Sequence, residues 1–425
     1  MCFVDCGFKK SIHSHSPQSF NLKGNIMKKK VLVAAVLAAC ANSGYAADAP
    51  TAPTLGQVLD ASGLSVTGYM DMAYNKMNTT GLFTNSPAGP ITGGSAGNSR
   101  IFDTPGATQG QNFNSFNFNQ AAIIISKLPK EGLGGLINIT AGQDAAVVAS
   151  SGLGANNNNV TNADITQAFM NYATGALTVQ AGKFATLAGA ELITSPSNMN
   201  YSRAWMFGWG PYTHTGVRTT YVANDMVTLI GGVNNGWDQV NSQSYGKTAE
   251  LSLALTASPM FSLATTLLDG AATSAMGNMS GVANTISPVP VTQGNRTYLD
   301  MVGTITATSQ LKFVFDYAHG KQKNAMVVGK DAQWHALALY ANYQLDDTWR
   351  LAYRSEVYDD PTGFRSGVAQ NLASNTVTVG YAVSKTLEVR GEVRADKSTQ
   401  NSFLQSNGKG TNGQRSYSVD AIYQF

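Results

Sequence analysis

Near the C-terminus five charged residues alternate in sign at every second position: Glu388, Arg390, Glu392, Arg394 and Asp396. Arg350, Arg354 and Glu356 repeat the same even spacing some forty residues earlier. A period of two places such residues on one face of an extended strand. The residues between them, Leu387, Val389, Gly391, Val393 and Ala395, and likewise Leu351, Tyr353 and Val357, form an apolar opposite face. The chemistry open to these rows is a fixed electrostatic field. Arg or Lys on a lipid-facing wall costs about 2–4 kcal/mol near the midplane, so in a membrane strand both rows must face an interior. There they would form an ion-paired ladder that stiffens the wall or sets a field along a conducting path.

Catalytic chemistry finds less support. Beyond residue 46 the only histidines are His214, His319 and His335. A hydrolase built around one of them needs a Ser nucleophile or acids that activate water. His319 and His335 share parity with apolar residues, and His214, between Thr213 and Thr215, has no nucleophile or orienting carboxylate assignable to it. All three cysteines (Cys2, Cys6, Cys40) precede residue 47, which excludes disulfides and thiolate metal sites from the rest of the chain. Three scattered histidines give no metal-ligand spacing. The expectation is a non-enzyme with no cofactor and no metal.

The elements that must position these residues are strands. Alternation and turn residues place them near 62–77, 113–127, 133–144, 164–174, 176–186, 211–224, 225–236 and 247–258, then 260–270, 297–309, 310–323, 331–345, 348–361, 374–384, 386–398 and 414–425. In the last, Tyr417, Val419, Ala421, Tyr423 and Phe425 oppose Ser416, Ser418, Asp420 and Gln424, with Ile422 the misfit. Short turns follow every second strand, such as Thr174-Gly175, Asn224-Asp225 and Asp346-Asp347, and longer polar links usually follow the others. That asymmetry is the layout of a transmembrane antiparallel up-and-down β-barrel, all-β, with about 16 strands in a range of 14–18. Short turns would be periplasmic and long loops extracellular. Closure removes the free edges.

The N-terminus agrees with export. Lys28-Lys29-Lys30 precedes an apolar run from Val31 to Ala41, and small residues lead to a cut after Ala46, the pattern of a secretory signal peptide over 27–46. Leu37-Ala38-Ala39-Cys40 also fits a lipoprotein box that would leave Cys40 lipidated. Residues 1–26 read as an extension upstream of a start at Met27, and 47–61 as a short periplasmic arm before the barrel of 62–425. The first 46 residues hold six of the 28 Lys and Arg and one of the 25 acids, leaving 22 basic and 24 acidic residues. A balance near −2 argues against a nucleic-acid partner. The expected surroundings are outer-membrane lipids and small hydrophilic solutes, with a homotrimer one assembly open to such a barrel.

One long loop differs from the rest. Residues 187–210 carry Leu192, Ile193, Met199, Tyr201, Trp205, Met206, Phe207 and Trp209 together with Glu191 and Arg203. A loop exposed to solvent has little reason to hold so much apolar surface. By analogy with the third loop of general porins, it is expected to fold into the barrel and narrow it, setting Glu191 and Arg203 opposite wall residues such as His214 and Arg218. A loop packed at the rim or across a trimer interface is the alternative. Trp205, Trp209, Trp237, Trp334 and Trp349 fall near expected strand ends or loops, where aromatic girdles would draw on some of them. Lys183 falls on an apolar parity unless Gly182 hosts a bulge.

Several motifs between about 62 and 248 resemble the OmpL-like β-barrel porin family of Gram-negative outer membranes. They are Gly68-Tyr69-Met70-Asp71, Phe116-Asn117-Phe118-Asn119-Gln120-Ala121, Gly142-Gln143-Asp144 and Gly182-Lys183-Phe184-Ala185-Thr186. Glu191, Asn200-Tyr201-Ser202-Arg203, Pro211 to Arg218 and Asn234-Asn235-Gly236-Trp237-Asp238 continue the series. The second half resembles the family in its strand pattern and final Phe425. The resemblance implies an outer-membrane porin for passive diffusion and supplies no substrate. The competing reading is a closed or plugged barrel acting in structure or adhesion through its loops.

Overall fold

The computed structural model describes residues 59, 61–79, 81–82, 84–86, 89–91, 114–153, 162–242, 244, 246–273, 293–327 and 330–425. The expectations for 1–26 and 27–46, for Cys40 and for nearly all of 47–61 lie outside the described residues.

Sixteen strands close into one antiparallel barrel. In chain order they begin with β1 (Ser65–Met77), β2 (Asn114–Lys127), β3 (Gly132–Ala141), β4 (Ala163–Thr174) and β5 (Leu177–Ala185). Next come β6 (Thr213–Val222), β7 (Val227–Asn234), β8 (Thr248–Ser258), β9 (Phe261–Thr273), β10 (Gln293–Thr306) and β11 (Leu311–Val327). The circuit ends with β12 (Lys330–Gln344), β13 (Trp349–Asp360), β14 (Gln370–Ala382), β15 (Leu387–Ser398) and β16 (Gly413–Gln424). Each pairs with its chain neighbours, and β1 closes on β16 from Tyr69 opposite Gln424 to Met77 opposite Ser416. Gly68 and Phe425 exchange backbone hydrogen bonds of 2.9 and 3.0 Å at the seam. The Phe425 ring lies 2.5 Å from where a Cβ on Gly68 would be, so the seam depends on glycine there.

Local side chains set the short turns. Asn224 Oδ1 accepts from the backbone N–H of Met226 and Val227, Thr308 Oγ1 from Gln310 and Leu311, Asp346 Oδ1 from Thr348 and Trp349, and Ser384 Oγ from Thr386 and Leu387. These are the Asx- and Ser/Thr-turn bonds that make such residues good punctuation between strands.

The wall has the expected polarity outside. Met72, Met170, Val217, Leu251, Leu339, Val357, Val393 and Val419 are exposed outward, an apolar band suited to hydrocarbon. Inside, Arg350, Arg354, Glu356, Arg390, Glu392 and Arg394 are buried. The interior is not uniformly polar, however. Trp205, Trp209, Tyr212, Trp237, Tyr298, Trp334, Tyr358, Phe364 and Phe403 form one apolar cluster within it. Four of the five tryptophans therefore pack inside. Trp349 alone is exposed, with its ring centre 4.6 Å from that of Tyr381, as a girdle residue would be. After β3 the chain turns into a short helix, α1 (Gln143–Val148), which packs against β2 and β4.

Candidate pore and constriction site

Residues 187–210 run inside the barrel, and a second short helix, α2 (Trp205–Trp209), forms there. A backbone segment enclosed by a wall must find partners for every N–H and C=O. The lumen side chains supply them, and acids and bases divide the task. Carboxylates and one amide take the N–H groups. Asp300 accepts from Gly189 (2.7 Å), Asp316 from Ala190 (2.7 Å), Gln120 from Ser195 (3.2 Å) and Glu392 from Tyr201 and Ser202 (2.7 and 3.0 Å). Arginines take the carbonyls. Arg350 donates to Met199 O, Arg390 to Asn198 O and Asn200 O, Arg354 to Ser202 O, and Arg394 to Arg203 O. On β1, Asp71 accepts from the Ser195 hydroxyl. The loop is thus tied to β1, β2, β10, β11, β13 and β15.

The ends of α2 are served in the same way. Glu191 accepts from Ala204 N–H (2.8 Å), and Glu356 from Trp205 and Met206 N–H (2.7 Å each). Arg365, in the link between β13 and β14, donates to Trp209 O at the other end. Acids at a helix N-terminus and a cation at its C-terminus both match the helix dipole. Trp205 Nε1 donates to Asp396 (3.1 Å), and its ring stacks on Trp209 at 5.1 Å.

The sequence-derived site residues therefore find different partners from those expected. Glu191 pairs with Arg354 across the lumen at 2.6 Å. Arg203 is buried, donates to Asn200 O and Tyr201 O, and lies 5.7 Å from the Phe207 ring centre. Arg218 on β6 makes a two-point pair with Glu250 (2.8 Å each) and stacks 4.0 Å over Phe184. His214 is fully buried, with its ring nitrogens 3.0 Å from Gly236 O and 3.2 Å from Thr186 Oγ1. Of the two charged rows, Arg350 pairs with Glu388 and Arg394 with Asp396, whereas Arg390 pairs with Asp420 on β16. Glu356 and Glu392 instead hold loop N–H groups. The ladder is largely spent on the inserted loop.

Lys183 reaches inward to Asp164 (3.0 Å) and Ile165 O (2.8 Å). Pairing stays in register at Gly182 on both sides, and the irregularity lies across the sheet, where Asn138 faces Gln167 and Ile139 faces Ile165. Gly182 contributes a φ of +136°. A Cβ there would stand 2.3 Å from Ala168 O.

Outside the strands, Asp238 braces the approach to β6, accepting from the N–H of Tyr212 and Thr213 at 3.0 and 2.8 Å. Burial pushes its carboxyl up to about 6, despite those two N–H groups. Burial, and then the Asp238 charge, raise the Tyr212 phenol well above its ordinary range. Sequence reasoning missed Asp71, Gln120, Asp300, Asp316 and Arg365 as loop anchors. Asp71 and Gln120 lie within the motifs quoted above, and inward parity was the signal available for Asp300 and Asp316.

The family model described as "Putative beta-barrel porin-2, OmpL-like" matches residues 63–425. The chain belongs to this family. Membership reaches through the second half of the chain, where the resemblance lay in the strand pattern and the final Phe425. The protein resides in the outer membrane, and its barrel is that of a porin channel. No curated protein matches it. Among solved structures it is similar to the outer-membrane channel DcaP of Acinetobacter baumannii, with 11% identity and a TM-score of 0.54 over 85% of this chain and 97% of that one. An anion-selective porin from Comamonas acidovorans gives 11% identity and 0.53 over 85% and 99%. A trimer form of OmpT from Vibrio cholerae gives 10% identity and 0.52 over 85% and 99%. At such identity the likeness is one of fold. Two of these anchored motifs, around Asp71 and around Asn200 to Arg203, also carried the family resemblance.

Proposed function

We propose that this barrel passes small hydrophilic solutes by passive diffusion, through a path narrowed by residues 187–210. The observation that carries the reading is the inserted loop, whose backbone is held by charged wall residues from opposite sides of the lumen. A rim-packed loop would have no use for that array. Arg218, Arg354, Arg390 and Lys183 are each matched with a carboxylate, which favours a weak ion preference along the path. His319 and His335 are stacked at 6.4 Å, and His335 pairs with Asp359. With His214 held by Gly236 and Thr186, the histidines have structural partners, in keeping with a channel that performs no catalysis. A homotrimer fits the reading, since one related fold is described as a trimer.

The test is planar-bilayer conductance of refolded residues 47–425. Stepwise openings with a reversal potential near zero in a salt gradient are expected, and Arg203→Ala should change the step size. A folded barrel without steps would overturn the reading in favour of a plugged barrel acting through its loops. Near-ideal selectivity for either ion would overturn the weak preference.

A further inference from the structure

On the outer wall, three neighbouring strands each end their apolar row on a cation. At the long-loop ends of β1, β16 and β15, which lie side by side across the seam, the outward residues are Lys76, Arg415 and Lys397, all exposed. The rows below them are apolar, with Met72 and Tyr74 on β1, Tyr417 and Val419 on β16, and Val393 on β15. Phe116, 84% exposed, packs on Tyr74 at 5.0 Å and widens that floor. Register brings the cations together. Lys76 stands opposite Tyr417, two residues from Arg415, and Arg415 stands opposite Ala395, two residues from Lys397. Diagonal neighbours on one face are about 7–8 Å apart, within reach of long side chains. Across the strands these cations face Asn114, Tyr417, Ala395, Gly413 and Ala373. Lys397 reaches Asn412 at 3.1 Å, and among the described residues none of the three has a carboxylate at ion-pair distance. Farther round the same rim the charges are mixed: Lys321 pairs with Asp331 at 3.5 Å and His335 with Asp359 at 3.2 Å.

Like charges on neighbouring positions of one sheet face repel, so an unmixed cluster calls for an anion. We propose that Lys76, Arg415 and Lys397 bind the phosphate of a phosphorylated glycolipid of the outer leaflet, with its acyl chains along the apolar rows below. The long links that follow β1 and β15 put the cluster on the extracellular side of the outer membrane. Lys and Arg at a membrane interface lay their stems on apolar surface and hold their charged heads among the headgroups. A guanidinium grips phosphate at two points, and each ammonium adds a point charge. A soluble anion would have no use for the aromatic floor of Tyr74, Phe116 and Tyr417, and an uncharged lipid would have none for the cations. Both halves of the patch are served only by a molecule that is anionic at its head and apolar below. The site lies on the outer wall and does not depend on what the lumen conducts.

The test uses the protein purified from outer membranes in a mild detergent and washed free of lipid. It is titrated with bisphosphorylated lipid A, with the dephosphorylated form, or with phosphatidylglycerol, and bound lipid is counted by native mass spectrometry. Bisphosphorylated lipid A should bind specifically, and more weakly as salt rises. Lys76→Gln, Lys397→Gln and Arg415→Gln should weaken it roughly fivefold each and about 100-fold together. The dephosphorylated form should bind the native protein as poorly as lipid A binds the triple variant. Lys321→Gln, in the mixed part of the rim, should leave affinity unchanged. Arg415→Gln alone serves if the triple variant does not fold. Equal affinity of the native protein and the triple variant would overturn the proposal, as would an equal loss in Lys321→Gln. Undiminished binding of the dephosphorylated form would show that acyl chains alone hold the lipid. Phosphatidylglycerol bound as tightly as lipid A would overturn the choice of a glycolipid.

Discussion

Replacing Arg354 by Met should release residues 187–210 from the wall without disturbing the barrel. The Arg354 side chain is fully buried and bonds Glu191 Oε1 (2.6 Å), Ser202 O (2.7 Å), Ser202 Oγ (3.0 Å) and Thr376 Oγ1 (3.2 Å). Met fills similar space but leaves the Glu191 carboxylate buried and unpaired. Breaking a buried pair from one side costs about 3–5 kcal/mol, and each 1.4 kcal/mol is tenfold in a population. The fraction of molecules with the loop detached should therefore rise roughly 100- to 4,000-fold. Trypsin reads that fraction at Arg203, which is 1% exposed while the loop is docked. When closing outpaces cleavage, the cutting rate follows the open population. The variant should thus be cut after Arg203 faster by that factor, with the rest of the barrel intact. Adding Glu191→Gln removes the orphaned charge and should restore most of the protection, so the two changes are strongly non-additive. Wild-type protection in a folded Arg354→Met barrel would refute the reasoning, as would strictly additive rates for the pair.

Gly182→Ala forces a Cβ against Ala168 O at 2.3 Å from a backbone with φ +136°; the yield of refolded barrel should fall sharply, and normal refolding would show that the β4–β5 wall shifts freely. Trp349→Phe should remove nearly all quenching of tryptophan fluorescence by brominated acyl chains, because the other four tryptophans lie inside; quenching that survives the change would contradict that placement. For Asp238 the sign runs against the usual acid. Its folded value of about 6 lies above the ordinary 3.8, so the folded protein holds its proton longer. Stability is full below pH 3.8, declines by up to about 3 kcal/mol as pH rises to 6, and is level above that. Thermal midpoints across this window should show the decline and lose it in Asp238→Asn; a midpoint that instead climbs with pH in the native protein but not in the variant would be the wrong sign.

The strands were legible because a period of two is written locally. A row such as Leu387 to Ala395 needs no distant partner to declare its face. The ends of β1, β2, β13 and β15 fall within a few residues of their expected places, since turn residues such as Asp346 and Ser384 act on the next three positions. What the lumen charges bond to was not legible. Glu392 meets Tyr201, and Arg350 meets Met199, across more than 140 residues of chain. Nothing in local spacing distinguishes an acid that pairs with its neighbour from one that holds a backbone N–H.

One signal did point to an apolar occupant. Strand β12 is apolar on both faces: His335, Leu337, Leu339 and Ala341 on one parity, Trp334, Ala336, Ala338 and Tyr340 on the other. A wall strand between lipid and water has no reason for a second apolar row. The inward row is buried, and it belongs to the same cluster as Trp205, Met206 and Trp209 of α2. The unusual strand and the unusual loop, each odd alone, explain one another. Apolar residues on a loop need an apolar wall, and an apolar lumen wall needs something to cover it. Taken together, the apolar loop and the second apolar row of β12 set Trp205 and Trp209 against the wall that carries Trp334.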